Sequence, residues 1–156
     1  MRIALYQPDI PQNTGTILRM AACLAVGVDI IEPCGFALDD KRLRRSGMDY
    51  LYQVDLNRHI SWSAFQKNCA ETNNRLVLLT TSGDLPYCDF VFQTDDRLLL
   101  GRESAGAPAE VHKAANARIR IPITEGTRSL NIAVAASMVL GEALRQTERF
   151  SEGTAP

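Results

Sequence analysis

Glycine and polar side chains follow three apolar runs in the second half of the chain, and this arrangement suits the binding of a small organic ligand. The three segments run from Leu79 to Gly83, from Gly101 to Gly106 and from Ile121 to Asn131. Each follows a short run that predicts a buried strand, and ligands bind at the carboxyl ends of the strands in open α/β sheets. Gly101 would let a ligand approach the backbone closely, because glycine has no Cβ. We therefore take these three loops as the candidate site.

The sequence lacks the motifs of metal sites, of common nucleotide-binding sites and of serine hydrolases. The four cysteines form no CxxC pair and only two histidines accompany them, so we predict no metal site. No GxGxxG follows the first predicted strand and no GxxxxGK[ST] occurs, which excludes the usual dinucleotide and nucleoside-triphosphate motifs. The serines lack a GxSxG setting, so a serine hydrolase is not favoured either.

Alternating strand and helix patterns are expected to position these loops. Strands are predicted at Arg2–Gln7, Val28–Ile31, Leu76–Leu79, Leu98–Leu100 and Ile119–Ile121. Helices are predicted after caps at Asn13 and Ser61, from a first turn at Pro108, and from Asn131 to about Thr147. The charged run 38–45 is predicted to be a short helix or a turn. The alternation predicts an α/β fold, an open parallel sheet with helices on both faces.

Size and composition bound this expectation. With 156 residues, 46% hydrophobic and 22% charged, we expect a single domain over residues 1–150 and a frayed tail over residues 151–156. No apolar run approaches the roughly 20 residues that a membrane span needs. Unpaired cysteine spacing indicates a reducing, cytoplasmic protein with no membrane partner. The net charge of −1 argues against binding nucleic acid by overall charge, although it allows a local basic face.

Three segments together resemble one family. They are IPQNTGTILR from Ile10 to Arg19, LLLGRESAG from Leu98 to Gly106, and RIPITEGTRSLNIAVAAS from Arg120 to Ser137. Their order and the position of the SLN-containing helix resemble the SPOUT-class RNA methyltransferases, over residues 2 to about 150. Within that class, Ile30 to Tyr50 is most similar to the small tRNA enzymes that methylate the ribose 2′-hydroxyl of the anticodon wobble nucleotide.

The resemblance implies a cofactor, S-adenosylmethionine, and a C-terminal trefoil knot that shapes its site. The positions that match the family's cofactor-binding residues are Leu79, Thr80, Gly101, Ile121, Ser129, Leu130 and Asn131. Apolar side chains beside a glycine suit an adenine ring, which needs apolar walls and backbone hydrogen bonds. Without the resemblance, Leu79 and Ile121 would be interpreted as core residues at strand ends.

The same resemblance gathers Arg19, Asn13 and Glu103 near the transferred methyl group. A guanidinium has a pKa above about 12, so we expect Arg19 to orient a phosphate and stabilise a developing alkoxide rather than act as base. A surface arginine is the alternative for Arg19. For Glu103 the alternative is a structural role, pairing with a backbone amide or with Arg128.

A tRNA partner and a homodimer are also implied. The expected RNA contacts are Lys41, Arg42, Arg44, Arg45 and Arg128, although a solvated helix face is the usual explanation of such a basic run. In the dimer, the Arg19 helix of one chain would face the cofactor loops of the other, as in relatives.

Two positions depart from the wobble enzymes. Gly141 precedes Glu142 where a tyrosine is common, and Ala133 stands where a serine is common. Two alternatives therefore stay open: a 2′-O-methyltransferase of another tRNA or rRNA site, and a non-catalytic RNA- or cofactor-binding module.

Overall fold

The computed structural model describes residues 1–37 and 53–150. The charged run 38–45, predicted as a helix or turn and containing four cations, and the tail 151–156 lie outside the described residues. Within the described ranges, no helix is both long and apolar enough to cross a bilayer.

Strands and helices alternate along the described chain. The strands are β1 (Arg2–Tyr6), β2 (Gly27–Ile31), β3 (Leu56–His59), β4 (Leu76–Leu79), β5 (Leu85–Pro86), β6 (Arg97–Leu100) and β7 (Ala117–Arg120). The α-helices are α1 (Pro11–Cys23), α2 (Trp62–Thr72), α3 (Ala109–Ala114) and α4 (Ile132–Gln146), and a 3₁₀ turn covers Tyr87–Asp89.

The described strands form one sheet in the order β3-β2-β1-β6-β4-β7-β5, and every pairing in it is parallel. Ile3 in β1 lies between Val28 of β2 and Leu98 of β6. The predicted open parallel sheet is confirmed. Strands β4, β6 and β7 are adjacent, so the three loops that follow β4, β6 and β7 emerge side by side at one edge of the sheet.

Helices cover both faces of the sheet, as predicted. Because side chains alternate along a strand, Ile3 and Leu5 of β1 join one apolar cluster while Ala4 and Tyr6 join the other. The first cluster takes its helical residues from α1 and α4, and the second from α2 and α3. The described residues therefore form two apolar clusters, one on each face of the sheet, and the candidate loops lie where α1 and α4 meet the sheet.

The first residues of the helices agree with some of the predicted N-caps and not with others. Ser61 caps α2 as predicted, since its Oγ accepts a hydrogen bond from the Ala64 amide at 3.2 Å. The predicted cap at Asn13 is wrong: α1 begins at Pro11, whose fixed φ suits a first helical residue. Asn131 caps α4, accepting from the Ala133 amide at 2.9 Å. The Asn13 side chain is used elsewhere, in the site described below.

One buried carboxylate joins four strands. Asp29 in β2 is fully buried, and its oxygens lie 3.1 Å from Arg2 Nε, 3.2 Å from His59 Nε2 and 3.6 Å from an Arg97 guanidinium nitrogen. Arg2 and Arg97 open strands β1 and β6, and His59 ends β3. A buried carboxylate needs such partners because its charge has lost the stabilisation of water.

Candidate functional site

A cavity of about 580 Å³ opens at the carboxyl ends of β4, β6 and β7. Its size falls in the usual range for sites that bind small organic molecules. Seven residues in its lining are the ones expected to bind the cofactor: Leu79, Thr80, Gly101, Ile121, Ser129, Leu130 and Asn131. The structure therefore brings together residues from three loops that are distant in sequence.

The cavity combines apolar walls with polar groups. Leu79 ends β4, Ile121 directly follows the neighbouring strand β7, and Leu130 belongs to the loop that leads into α4. Hydroxyls of Thr80 and Ser129 lie in the same lining. This donor set fits S-adenosylmethionine, because a flat aromatic ring needs apolar walls and a ribose needs nearby hydrogen-bonding groups.

The loop after β6 folds back tightly on itself. Arg102 and Gly106 form an antiparallel bridge, with the Arg102 amide donating at 3.0 Å and the Gly106 amide donating at 2.8 Å. Gly106 has a φ of +67°, a left-handed conformation that favours glycine. A Cβ on Gly101 would lie 2.6 Å from the Ala107 nitrogen. Gly101 therefore allows the loop to close at the cavity floor.

Glu103 projects from this loop and is held from two sides. Its Oε2 accepts a hydrogen bond from the Asp9 amide at 3.0 Å, and its Oε1 accepts one from Asn13 Nδ2 at 3.2 Å. Burial, together with the neighbouring Asp9 carboxyl, raises the pKa of Glu103 above its ordinary value. The Glu103 carboxyl therefore has a fixed orientation and titrates at a higher pH than a free glutamate.

Two side-chain amides extend this contact to α4. Asn13 donates to Glu103 and accepts a hydrogen bond from Asn131 Nδ2 at 3.0 Å. Asn131 in turn uses its Oδ1 to cap α4. The Asn13 amide donates to Glu103 and accepts from Asn131, and the Asn131 amide donates to Asn13 and accepts at the helix cap. These hydrogen bonds fix the orientation of both side-chain amides. Side chains thus connect the loop after β6, the first turn of α1 and the start of α4.

The hydrogen-bonded chain of Glu103, Asn13 and Asn131 gives a first prediction. Asn131→Ala should lower the melting temperature, because losing an N-cap costs about 1 kcal/mol. It should also weaken S-adenosylmethionine binding by about threefold to tenfold, since Asn13 loses its donor. Asn131→Asp is the matched control: it keeps an oxygen for the cap but cannot donate to Asn13. Calorimetry should show weakened S-adenosylmethionine binding in both variants. Thermal denaturation should show a lower melting temperature mainly in the alanine variant. Wild-type affinity in both variants would contradict the proposed role of the Asn131–Asn13 hydrogen bond.

The other predicted residues divide into three groups. Asn13, Glu103 and Arg128 line the cavity alongside the expected cofactor residues. Arg19 is exposed on α1 and is absent from the described lining of the cavity in this chain, so its role stays a prediction. The cations at positions 41, 42, 44 and 45 lie outside the described residues.

Sequence reasoning missed Asp9 and Ile10. Ile10 lines the cavity, and Asp9 contacts the Glu103 loop. A signal for both was present, because they follow β1, and β1 pairs with β6 in the sheet. Residues after β1 must therefore emerge next to the Gly101 loop.

Comparisons with known proteins agree with this geometry. The model of the SpoU rRNA Methylase family matches residues 1–141. A tRNA (cytidine(34)-2'-O)-methyltransferase of Beijerinckia indica is 61% identical over 144 residues, which are 92% of this chain and 90% of the relative.

Solved structures have the same fold. One, concerned with the 2-OH methylation of C/U34 on tRNA, superposes with a TM-score of 0.89 at 39% identity and covers 93% of this chain and 94% of its own. The SpoU methyltransferase AviRb of Streptomyces viridochromogenes, in complex with the cofactor AdoMet, superposes with a TM-score of 0.87 at 27% identity. That match covers 94% of this chain and 60% of AviRb.

Proposed function

This chain belongs to the SpoU rRNA Methylase family, and from that premise we propose that it transfers the methyl group of S-adenosylmethionine to the ribose 2′-hydroxyl of nucleotide 34 in tRNA. The observation that carries the proposal is the 61% identity to a tRNA (cytidine(34)-2'-O)-methyltransferase over 92% of this chain. The cavity supports it, since every residue expected to bind the cofactor lies in one lining. Since tRNA is the substrate, we place the enzyme in the cytoplasm.

The departures at positions 133 and 141 leave the cavity intact. Ala133 is buried in the core, and a Cβ on Gly141 would meet no atom within 4 Å. Neither residue is in the described cavity lining, although Ile132 and Ala135 of the same helix are. No feature of the described residues therefore favours a non-catalytic module over an enzyme.

The chain's own residues bind and orient the reactants. The cofactor would supply a methyl group on a positively charged sulfur, already activated for transfer. The sulfur would leave as the neutral thioether of S-adenosylhomocysteine, and the ribose hydroxyl would release its proton to water or to another group. Leu79, Ile121 and Leu130 would flank its adenine ring, while Glu103 and Asn13 stand at the polar side of the cavity. Holding the methyl in line with a ribose oxygen contributes several kcal/mol, on the order of 7 to 11 in favourable cases. Fixed side chains such as Glu103 suit this task because they need no rearrangement during the reaction.

We infer a trefoil knot from family membership, and the path of the chain supports it. After β7 the chain crosses the ends of β4 and β6 before Asn131 reaches Asn13 on α1. Helix α4 then packs against α1. The segment from Ile121 to Asn131 thus returns across strands that precede it, as the C-terminal segment of a knot must.

A homodimer would bring Arg19 to the cavity of a second copy. Among the described residues, five large apolar side chains are exposed in the cavity lining or along α4: Ile10 (41%), Ile123 (39%), Leu130 (41%), Val134 (49%) and Met138 (39%). Val134 and Met138 are one helical turn apart and form a stripe. An exposed apolar stripe on a helix is typical of a surface that binds another protein. A second copy is its best occupant, because the exposed Arg19 lies on the helix that packs beside α4.

The basic cluster Lys41, Arg42, Arg44 and Arg45 is proposed to bind tRNA phosphates. Replacing all four with glutamine should raise the KM for tRNA by about tenfold or more and flatten its salt dependence, because each phosphate contact releases counterions. The rate at saturating tRNA should change little. Steady-state kinetics at several salt concentrations test this, with Arg118→Gln as a control cation outside the cluster. An unchanged salt slope would show that the cluster is a solvated face.

One experiment tests the function directly. The purified protein is incubated with labelled S-adenosylmethionine and either bulk tRNA or rRNA, and the methylated nucleotide is located after digestion. We expect label on the 2′-oxygen of nucleotide 34 in tRNA. Label in rRNA, at another tRNA position or on a base would overturn the proposed substrate. Cofactor binding without methylation of any RNA would support the non-catalytic module instead.

A further inference from the structure

We propose that Asp9 is a positioning residue of this site: it fixes the backbone of the loop from Gly101 to Gly106 and so aims Glu103 at Asn13 and the cavity. This inference rests on the methyltransferase function proposed above. Asp9 itself is not in the described lining of the cavity, so its effect must pass through the loop it holds.

The first argument is a reciprocal pair of hydrogen bonds. The Asp9 amide donates to Glu103 Oε2 at 3.0 Å, and the Glu103 amide donates to Asp9 Oδ1 at 3.2 Å. Two bonds between the same two residues fix the distance and the rotation of one segment relative to the other. They connect residues 94 positions apart in the sequence.

The second argument is that Asp9 binds consecutive residues of the loop. Its Oδ2 accepts a hydrogen bond from the Ser104 hydroxyl and lies 3.7 Å from Arg102 Nε. The Arg102 Nε is buried and has no hydrogen-bond partner in the described part of the chain. Among the described residues, the Asp9 carboxylate forms the ion pair with Arg102, whose side chain is otherwise 37% exposed, and a neutral side chain at position 9 would remove that attraction.

The third argument is that Asp9 is itself held in place. A Cβ built on Gly35 would lie 2.8 Å from the Asp9 Cβ, and the Gly35 amide donates to the Pro8 carbonyl at 2.9 Å. The absence of a side chain at Gly35 lets this segment pack directly on Asp9. The Asp9 side chain is 14% exposed. A group packed in this way can impose its geometry on a neighbouring loop, because it has little freedom to follow the loop's movement.

The electrostatics give the pair two different roles. Burial alone would raise the pKa of Asp9, but hydrogen bonds from Glu103 and Ser104 and the charge of Arg102 lower it overall. Burial and the neighbouring Asp9 carboxyl raise the pKa of Glu103. Asp9 thus keeps its negative charge to lower pH, while Glu103 is the carboxyl that takes up a proton first as the pH falls.

Asp9→Asn tests the inference because it keeps the shape and removes the charge. At saturating S-adenosylmethionine and tRNA we expect a fall in kcat of about tenfold, with the tRNA KM changed less than about threefold. After burial, the Asp9 carboxyl is the next cause of the raised pKa of Glu103, so removing its charge should lower that pKa, and an acidic limb of the kcat–pH profile set by Glu103 should move to lower pH. A purely structural loss would reduce the rate without moving that limb.

Two measurements do not depend on turnover. Calorimetry should show S-adenosylmethionine binding weakened by about threefold to tenfold, and hydrogen exchange should show faster exchange at residues 101–106. Asp84→Asn is the matched control, because Asp84 forms an exposed ion pair with Arg118 outside the described lining of the cavity. Ser104→Ala removes one hydrogen bond to Asp9 without changing the charge. It should weaken cofactor binding and speed exchange at residues 101–106 by less than Asp9→Asn does. This variant decides the question if Asp9→Asn does not fold.

The outcomes separate this inference from the proposed function. Wild-type protein that binds cofactor but methylates no tRNA would end the proposed function, and Asp9 would then be judged by cofactor affinity and loop exchange alone. Asp9→Asn and Ser104→Ala variants that match Asp84→Asn in affinity and exchange would overturn the role of Asp9. So would a slower Asp9→Asn enzyme whose pH profile is unmoved.

Discussion

Gly101→Ala is expected to remove most cofactor binding and to reduce methyl transfer by about 100-fold or more, because a displacement near 1 Å in a positioned site costs that much. The added Cβ would lie 2.6 Å from the Ala107 nitrogen and 2.6 Å from the Gly106 carbonyl carbon, where ordinary contacts begin at 3.4 Å. Both neighbours are backbone atoms and cannot rotate away. The loop must therefore move by nearly the difference between 2.6 Å and 3.4 Å, and Glu103 moves with it.

Gly141→Ala is the matched control, because it adds the same atom where no other atom lies within 4 Å. An alanine inside a helix is also favoured over glycine by about 0.5–1 kcal/mol, so this variant should be at least as stable as the wild type. Calorimetry with S-adenosylmethionine, supported by melting temperatures, compares the two variants. Equal affinities in Gly101→Ala and wild type would show that the loop after β6 does not form the floor of the binding site.

Arg19→Ala is expected to reduce kcat at saturating tRNA by about 100- to 1,000-fold, the usual cost of losing one group that stabilises a developing oxyanion. Cofactor affinity should stay close to that of the wild type, because Arg19 is absent from the described cavity lining of its own chain. Arg19→Lys keeps the charge but not the planar pair of donors and should recover only part of the rate. If Arg19→Ala has the wild-type kcat at saturating tRNA, Arg19 is a surface residue with no role in methyl transfer.

Mixed dimers test whether Arg19 acts across the subunit boundary. An Arg19→Ala chain and a Gly101→Ala chain are each defective, but a dimer of the two has one site with an intact cavity and an intact Arg19. Random exchange makes half of the dimers mixed, with one working site of two, so about a quarter of wild-type activity should return. No recovery after proven subunit exchange would place both residues in the site of a single chain.

Apolar patterning was sufficient to predict the central strands. Strands β4 (LVLL) and β6 (RLLL) appear in the sequence as apolar runs because both of their faces are covered, and that pattern is typical of parallel sheets. Strand β7 (ARIR) carries two arginines, and only Ile119 in it is fully buried. Strand β3, Leu56–His59, was not predicted. It lies at the edge of the sheet with two exposed positions, so its sequence LNRH carries no apolar alternation. Its pairing with β2, rather than its residue types, makes it a strand.

The candidate site was predictable where it follows strand ends and less so where side chains reach across loops. Family resemblance supplied the cofactor residues, and all of them lie in one lining. Asn13 was assigned two roles, as helix cap and as site residue, and the structure retains the second because its amide contacts Glu103 and Asn131. Local sequence cannot distinguish the two, since a short polar side chain near a helix start suits both. Asp9 was missed because its partners are distant in the sequence.

The strand order also constrains how the chain is made. Strand β1 lies in the middle of the sheet beside β6, and β6 also pairs with β4, so β6 must enter between two strands that the ribosome has already produced. Until then one hydrogen-bonding edge of β1 is open, and Asp29 lacks its contact with Arg97. Open edges of apolar strands associate with other chains, and long-range pairing is slow. Between the synthesis of β4 and the insertion of β6, a nascent chain of this protein therefore exposes apolar strand edges that favour aggregation and chaperone binding.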